Sequence, residues 1–157
     1  MSKFATKAAD NMFCQARYEA AKCNERLSSR EGAAEELGID RTRLARIELG
    51  STVPYQEEVL LMADMYRAPE LRGKYCSEMC PLGKNMPKIT DKDLDRLSLE
   101  ALSSFRKIDI AKELLLDITA DGVIQEEEKE DLAKVLKILD EVNEISQNLK
   151  VWIEKNL

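Results

Sequence analysis

The sequence predicts an all-α protein in two parts, a five-helix domain followed by a long antiparallel helical hairpin. Helix-forming residue types dominate, and aromatic residues make up only 5% of the chain. Apolar residues recur at steps of three and four, as on one face of a helix. A stretch with two prolines and a glycine, 80–87, interrupts this periodicity, so we expect domains at residues 1–87 and 88–157.

The first part contains five predicted helices, at residues 10–27, 30–37, 41–49, 56–67 and 69–76. Ser29 and Asp40 precede the second and third helices as N-caps, because their side-chain oxygens can accept hydrogen bonds from the first free backbone amides. Gly38 and Gly50 follow the same two helices, at positions that favour a left-handed residue.

The second part contains two predicted long helices, each on the order of 40 Å at about 1.5 Å per residue. Thr90–Asp93 resembles a capping box before the first, and Asp121–Gly122 forms the turn between them. The apolar stripe of the first helix is Leu94, Leu97, Ala101, Phe105, Ile108, Ala111, Leu115 and Ile118. That of the second is Leu132, Leu136, Leu139, Val142, Ile145, Leu149 and Trp152.

One hairpin cannot cover both stripes completely. We expect its outer flank to include Val135, Ile138, Val151 and Ile153, and a patch of that size is rarely left exposed on a monomer. Pairing two hairpins in a four-helix bundle would bury the flank, so the sequence predicts a homodimer held mainly by the second part. The same helices also offer a surface to a protein partner.

The net charge of -6 is unevenly distributed along the chain. Residues 1–87 carry 13 Lys/Arg and 13 Asp/Glu, whereas residues 88–157 carry 11 and 17, so the acidic excess lies wholly in the second part. A nucleic-acid interface needs a local basic cluster rather than a basic chain, so the first part remains eligible for one.

Several function classes are excluded or disfavoured by what the chain lacks. It has no histidine, which removes Ser-His and Cys-His catalysis and every His-ligated metal site, and it has no phosphate-binding glycine motif. We therefore expect no enzyme. No window is long and apolar enough to cross a membrane, and Met1–Lys7 lacks the apolar core of a signal peptide, so we expect a cytoplasmic protein.

Residues 29–50 have the spacing of a helix-turn-helix. The motif needs a small residue where its helices cross, a glycine four residues later, and apolar anchors in the second helix; Ala34 and Gly38 meet the first two needs. The anchors are Ile39, Leu44 and Ile47. The exposed face of the second helix is then expected to carry the side chains that reach base edges, namely Arg41, Thr42, Arg43 and Arg46.

This segment resembles the Cro/cI-type (XRE-like) helix-turn-helix regulators, and the resemblance covers about residues 10–75. It implies a Cro/cI-like fold and a transcriptional regulator of bacterial or phage origin, a repressor, that binds double-stranded DNA. By position it implies phosphate contacts at Ser29 and Arg30, and base contacts at Arg41, Thr42 and Arg46. Two features depart from the family pattern: Gly32 and Ala33 replace its usual Glu and Leu, and residues 51–54 lack its usual basic residue.

The four cysteines leave several interpretations open. Cys76 and Cys80 share a helix face, and Cys14 would join them if the last helix of the domain lies near the first, forming a three-sulfur cluster for zinc or an iron–sulfur group. Inert buried thiols and a redox disulfide are the alternatives. We expect no metal and no cofactor. A calcium loop over residues 117–128 is a weaker interpretation, because Thr119 replaces an acid.

Two further functions therefore stand beside DNA-binding regulation. One is an antitoxin or accessory module whose acidic tail binds a partner protein. The other is a metal- or redox-sensing regulator that uses the cysteines.

Overall fold

The computed structural model describes residues 8–120 and 122–157, and within these all regular secondary structure is helical. The chain forms two compact units, one that ends at Met86 and one from Pro87 to Leu157. None of the described helices has the length and apolar character needed to span a membrane. The predicted N-terminal start, Met1–Lys7, and Asp121 of the predicted turn lie outside the described residues.

The first unit contains five α-helices: α1 Met12–Ala20, α2 Arg30–Leu37, α3 Arg41–Glu48, α4 Gln56–Met65 and α5 Glu70–Glu78. Short 3-10 turns occupy Glu25–Ser28 and Pro81–Gly83. Buried apolar side chains of all five helices and of their connections form one core: Phe13, Leu27, Ala33, Ala34, Leu37, Leu44, Ile47, Val59, Met62, Ala63, Tyr66, Ala68 and Leu71.

The first helix is shorter than the sequence predicts. It ends at Ala20, whose carbonyl oxygen accepts hydrogen bonds from the amides of Cys23 and Asn24, both at 3.0 Å. The Asn24 side chain then accepts from the Arg26 amide and starts the 3-10 turn. A single helix over residues 10–27 was therefore wrong, because side-chain capping by Asn24 favours a turn over continued helix.

Two glycines are required by close backbone approaches. A Cβ atom on Gly32 would lie 2.1 Å from the carbonyl oxygen of Arg26, and one on Gly83 would lie 1.5 Å from that of Cys76. Both distances are far below contact, so only glycine lets α2 meet the preceding turn and residues 81–83 fold back on α5. The departure at Gly32 from the family pattern thus has a steric reason.

The second unit contains α6 Leu94–Ile118 and α7 Lys129–Asn156, with a 3-10 turn at Glu126–Glu128. They pack against each other in opposite directions, because Thr90, just before α6, is hydrogen-bonded to Asn148 near the end of α7. Midway along, the Lys107 ammonium lies 2.5 Å from a Glu141 carboxylate oxygen. The N-cap of α6 is Asp93, which accepts from the Arg96 amide.

The apolar stripe predicted for α6 divides into two. Leu97, Ala111 and Ile118 are buried, together with the small Ser104. Phe105, by contrast, has 56% of its surface exposed, and the other exposed members of the stripe are Leu94, Ile108 and Leu115.

The predicted outer flank of α7 needs a matching correction. Val135 is 1% exposed and Ile138 and Val151 are half-buried, so of the four only Ile153 is exposed. Leu136 and Leu139, assigned to the inner stripe, are exposed instead. Steps of three and four locate a stripe but do not fix its rotation toward the partner helix to within one residue.

Candidate nucleic-acid interface

A tight turn joins α2 to α3 and fixes the direction in which α3 leaves the domain core. Gly38 has φ +65°, and the Ile39 amide after it donates to the Ala34 carbonyl oxygen at 3.1 Å. Asp40 then caps α3, since its carboxylate accepts from the Arg43 amide at 2.9 Å. These local bonds satisfy the open ends of both helices, as the sequence predicts for Ser29, Gly38 and Asp40.

The outward face of α3 carries polar and basic side chains. Leu44, Ile47 and Glu48 are buried on its inner side. Arg41, Thr42 and Arg46 are all exposed. Thr42 and Arg46, four residues apart, are neighbours on the helix surface, and Arg41 lies about 140° around the helix from Arg46. The face is completed by Ala45 and by Leu49 at the C-cap. Two arginines thus project into solvent from a helix whose opposite side is anchored in the core.

Arg43 has a different environment from the other two arginines. Its guanidinium binds both carboxylate oxygens of Glu58, with Nη2 at 2.7 Å from Oε2, and lies over the Tyr55 ring at 4.1 Å from the centroid. The Arg43 hydrogen bonds hold the pKa of Glu58 below its usual range, against the opposing effect of burial. Arg43 therefore joins α3 to the start of α4, with its guanidinium engaged by Glu58 and 27% of its side chain exposed.

A buried ion cluster holds the end of α3. The Arg17 guanidinium binds both oxygens of Glu48, at 2.5 and 3.0 Å, and the two side chains are 1% and 0% exposed. Burial alone would lower the pKa of Arg17, but hydrogen bonding to Glu48 and its charge outweigh that effect and raise it. Arg17 also donates to the Leu27 carbonyl oxygen at 2.8 Å, so α1, the 3-10 turn and α3 meet at one side chain.

Arg30 belongs to the same cluster. Its Nε donates to Glu48 Oε2 at 2.6 Å, and 28% of its side chain remains exposed. Arg30 thus lies in the first turn of α2, and one nitrogen of its guanidinium is hydrogen-bonded to Glu48. Beside it, the Ser29 hydroxyl oxygen accepts from the Gly32 amide at 3.0 Å and caps α2.

The predicted site residues therefore divide into three groups. Arg41, Thr42 and Arg46 are exposed on α3; Ser29 and Arg30 lie at the N-terminus of α2; Arg43 is half-buried and paired with Glu58. The sequence interpretation missed Glu58 as a partner of Arg43. The sequence offers one signal for Glu58, a carboxylate placed three residues after Tyr55 at the start of α4. In the structure that carboxylate accepts a hydrogen bond from the Tyr55 amide at 2.7 Å.

The cysteines do not form a metal site in the part of the chain that the structure describes. Cys14 is buried, Cys23 is exposed, and Cys76 and Cys80 are half-buried, all with free thiols. No group of three or more Cys, Asp or Glu side chains among the described residues is placed to hold an ion, so Cys14 does not join the other two. Burial, reinforced by the nearby Glu48 charge, raises the pKa of the Cys14 thiol and favours its unreactive form.

Comparisons of the chain with protein-family models, with curated proteins and with solved structures gave no match.

Proposed function

We propose that the first unit is a Cro/cI-type helix-turn-helix domain that binds double-stranded DNA through α3, and that the protein is a transcriptional regulator. The observation that carries the proposal is that Arg41, Thr42 and Arg46 are all exposed on a helix that follows a left-handed glycine turn. An arginine can donate two hydrogen bonds to guanine O6 and N7 in the major groove, which admits one α-helix.

The ion pairs support this proposal by making α3 rigid. Glu48 fixes the end of the helix through Arg17, and Glu58 fixes its first turn through Arg43. A recognition helix held at both ends loses little conformational entropy on binding, which leaves more free energy for base contacts. We assign Arg43 to this support rather than to direct base contact.

We assign the contacts with the DNA backbone to the N-terminal end of α2. Its N-terminal amides and helix dipole favour a phosphate beside Ser29, and the exposed part of the Arg30 guanidinium supplies the counter-charge. Such contacts position the domain without reading sequence. The even charge balance of residues 1–87 predicts modest affinity for a single domain.

Selection of bound sites from a random duplex library, followed by fluorescence anisotropy, tests the proposal. Arg41→Ala and Arg46→Ala should each cost about 1–3 kcal/mol and relax the preference at one base pair. Arg30→Ala should weaken all sequences alike and reduce the salt dependence by about one phosphate contact. Lys22→Ala, an exposed control in the turn after α1, should bind as the parent does.

Failure to enrich any site would contradict the assignment. So would parental affinity in both α3 variants, since the proposal places the discriminating contacts on these two side chains.

A further inference from the structure

The outer side of the α6/α7 unit carries a mainly apolar face, interrupted on α6 by Asp109 and Lys112. Its members have between 36% and 60% of their surface exposed and lie on both helices: Leu102, Phe105, Ile108, Leu115 and Leu116 on α6, and Leu136 and Leu139 on α7. Together they expose on the order of 600 Å² of apolar surface, at the upper end of the ~300–600 Å² found for the largest patch on a monomer. We call this set the outer face.

Helical spacing shows that both helices contribute to the same side. The opposite side of the pair is polar, where Glu100, Ser103 and Lys107 of α6 meet Glu141 and Glu144 of α7 around a cavity of about 230 Å³. At about 100° per residue, the outer-face positions of each helix lie on the other side of its buried row. The outer face and the polar cavity therefore lie on different sides of the pair, and Leu99 and Ile110 of α6 are exposed outside the outer face.

The charged residues within the outer face indicate what covers it. Phe105, Asp109, Lys112 and Leu116 follow one another at steps of four, three and four, so they form one row along α6. When a second row runs antiparallel to the first, apolar residues lie opposite apolar residues and the acidic residue lies opposite the basic one. An antiparallel copy of α6 would set Phe105 opposite Leu116, and Asp109 opposite Lys112, twice each.

The second helix has the same symmetry. The Lys107–Glu141 contact fixes the register of α6 against α7, and a twofold axis between residues 110 and 111 of α6 then passes near residues 137 and 138 of α7. That axis sets Leu136 of one copy opposite Leu139 of the other, and these are the exposed leucines of the outer face on α7. Two independent rows thus agree on one axis.

We propose that the occupant of the outer face is a second copy of this chain, packed with α6 antiparallel to α6 and with Asp109 of each copy opposite Lys112 of the other. The resulting four-helix bundle buries most of the ~800 Å² that each partner contributes to a standard interface. The pairing rests on the second unit alone and holds whether or not the first unit binds DNA.

Charge reversal tests both the partner and the register. The full-length chain should be a dimer at micromolar concentration by light scattering and sedimentation equilibrium. Asp109→Lys and Lys112→Asp should each weaken the dimer about tenfold or more, because two like-charge contacts replace two opposite-charge ones. The double variant should recover the parental Kd, and an equimolar mixture of the two single variants should form a heterodimer.

A second pair of variants tests the apolar contacts. Phe105→Lys should give a monomer, whereas Ile110→Lys should remain a dimer, since Ile110 is exposed to the same extent, 57% against 56%, but lies about 140° around the helix. Circular dichroism checks that each variant is folded. A monomeric parent chain, a dimer indifferent to Phe105→Lys, or a double charge variant that stays dissociated would each overturn the proposal.

Discussion

Arg17 and Glu48 form a two-point ion pair that is almost completely removed from solvent, beside a core cluster of apolar side chains. A buried ion pair is weak evidence for net stability, because desolvation of both charges opposes their attraction. Removing one partner of the pair, in contrast, strongly destabilises the fold. With one partner removed, the other charge remains buried without its counter-ion, and that state is far less stable.

We therefore expect Glu48→Ala to destabilise the first unit by about 3–5 kcal/mol in urea unfolding. Arg26→Ala is the control, because Arg26 is 62% exposed and pairs with Glu35 and Glu36 at the surface, where each such pair contributes about 0–1 kcal/mol. Arg17→Met combined with Glu48→Leu should recover much of the loss. Equal effects of the buried and the exposed single variants would refute this account of the pair.

The Arg43–Glu58 pair predicts a dependence of stability on pH. Hydrogen bonding from Arg43 lowers the pKa of Glu58 in the folded state. Its contribution is therefore complete above the ordinary carboxyl pKa of about 4.3 and is lost as pH falls through the lower, folded-state value. Glu58→Gln should lower the melting temperature near neutral pH and flatten its decline in acid.

The exposed neighbour Glu57 provides the matched control, as Glu57→Gln removes a charge from the same helical turn. If both variants lost stability equally at every pH, the effect would belong to net charge rather than to the pair.

The effect of replacing a glycine by alanine on stability should depend on the space around its Cα atom. An ordinary helical Gly→Ala change stabilises by about 0.5–1 kcal/mol, but Gly32→Ala should destabilise, since its Cβ would lie 2.1 Å from the Arg26 carbonyl oxygen. Gly38→Ala meets open space and only the strain of φ +65°, so we expect a loss of about 1 kcal/mol. Thermal unfolding should rank Gly32→Ala as the worse, and a stabilised Gly32→Ala protein would be inconsistent with this packing.

Asn148 should be a stability determinant of the second unit. It is 3% exposed, accepts from the Thr90 amide at 2.7 Å and donates to the Lys88 carbonyl oxygen at 2.9 Å. Asn148→Ala leaves these groups unpaired, at a cost of about 1–3 kcal/mol. Amide hydrogen exchange at Thr90 should accelerate, whereas the exposed control Asn143→Ala should leave it unchanged. Unaltered protection of Thr90 in the first variant would contradict the assigned contact.

Local signals explain why α2 and α3 were predictable from the sequence. Ser29, Gly38 and Asp40 act within three or four residues of themselves, so their caps can be read without knowing the tertiary structure. The end of α3 was placed one residue late, at Leu49 instead of Glu48, within the ordinary uncertainty of helix boundaries.

Contacts between residues distant in the sequence determine the features that could not be predicted. Arg41, Arg43 and Arg46 look alike in the chain, and only the position of Glu58, fifteen residues from Arg43, shows that the Arg43 guanidinium is paired within the domain. Likewise, the rotation of α6 and α7 depends on the small Ser104 and Ala111 that face the partner helix. Their size admits close approach and leaves the bulky Phe105 outside.

The four hydrogen bonds of Asn148 have a chemical consequence for the lifetime of the protein. Its Nδ2 donates to two carbonyl oxygens, those of Lys88 and Glu144, while Oδ1 accepts from the amide and hydroxyl of Thr90. Deamidation would exchange that nitrogen for a second oxygen and turn both donations into repulsions between lone pairs. The ageing reaction requires the backbone nitrogen of Leu149 to attack the side chain, and the α-helix holds that nitrogen in its own hydrogen bonding. The fold thus protects Asn148 from deamidation, a reaction that would disrupt its hydrogen bonds.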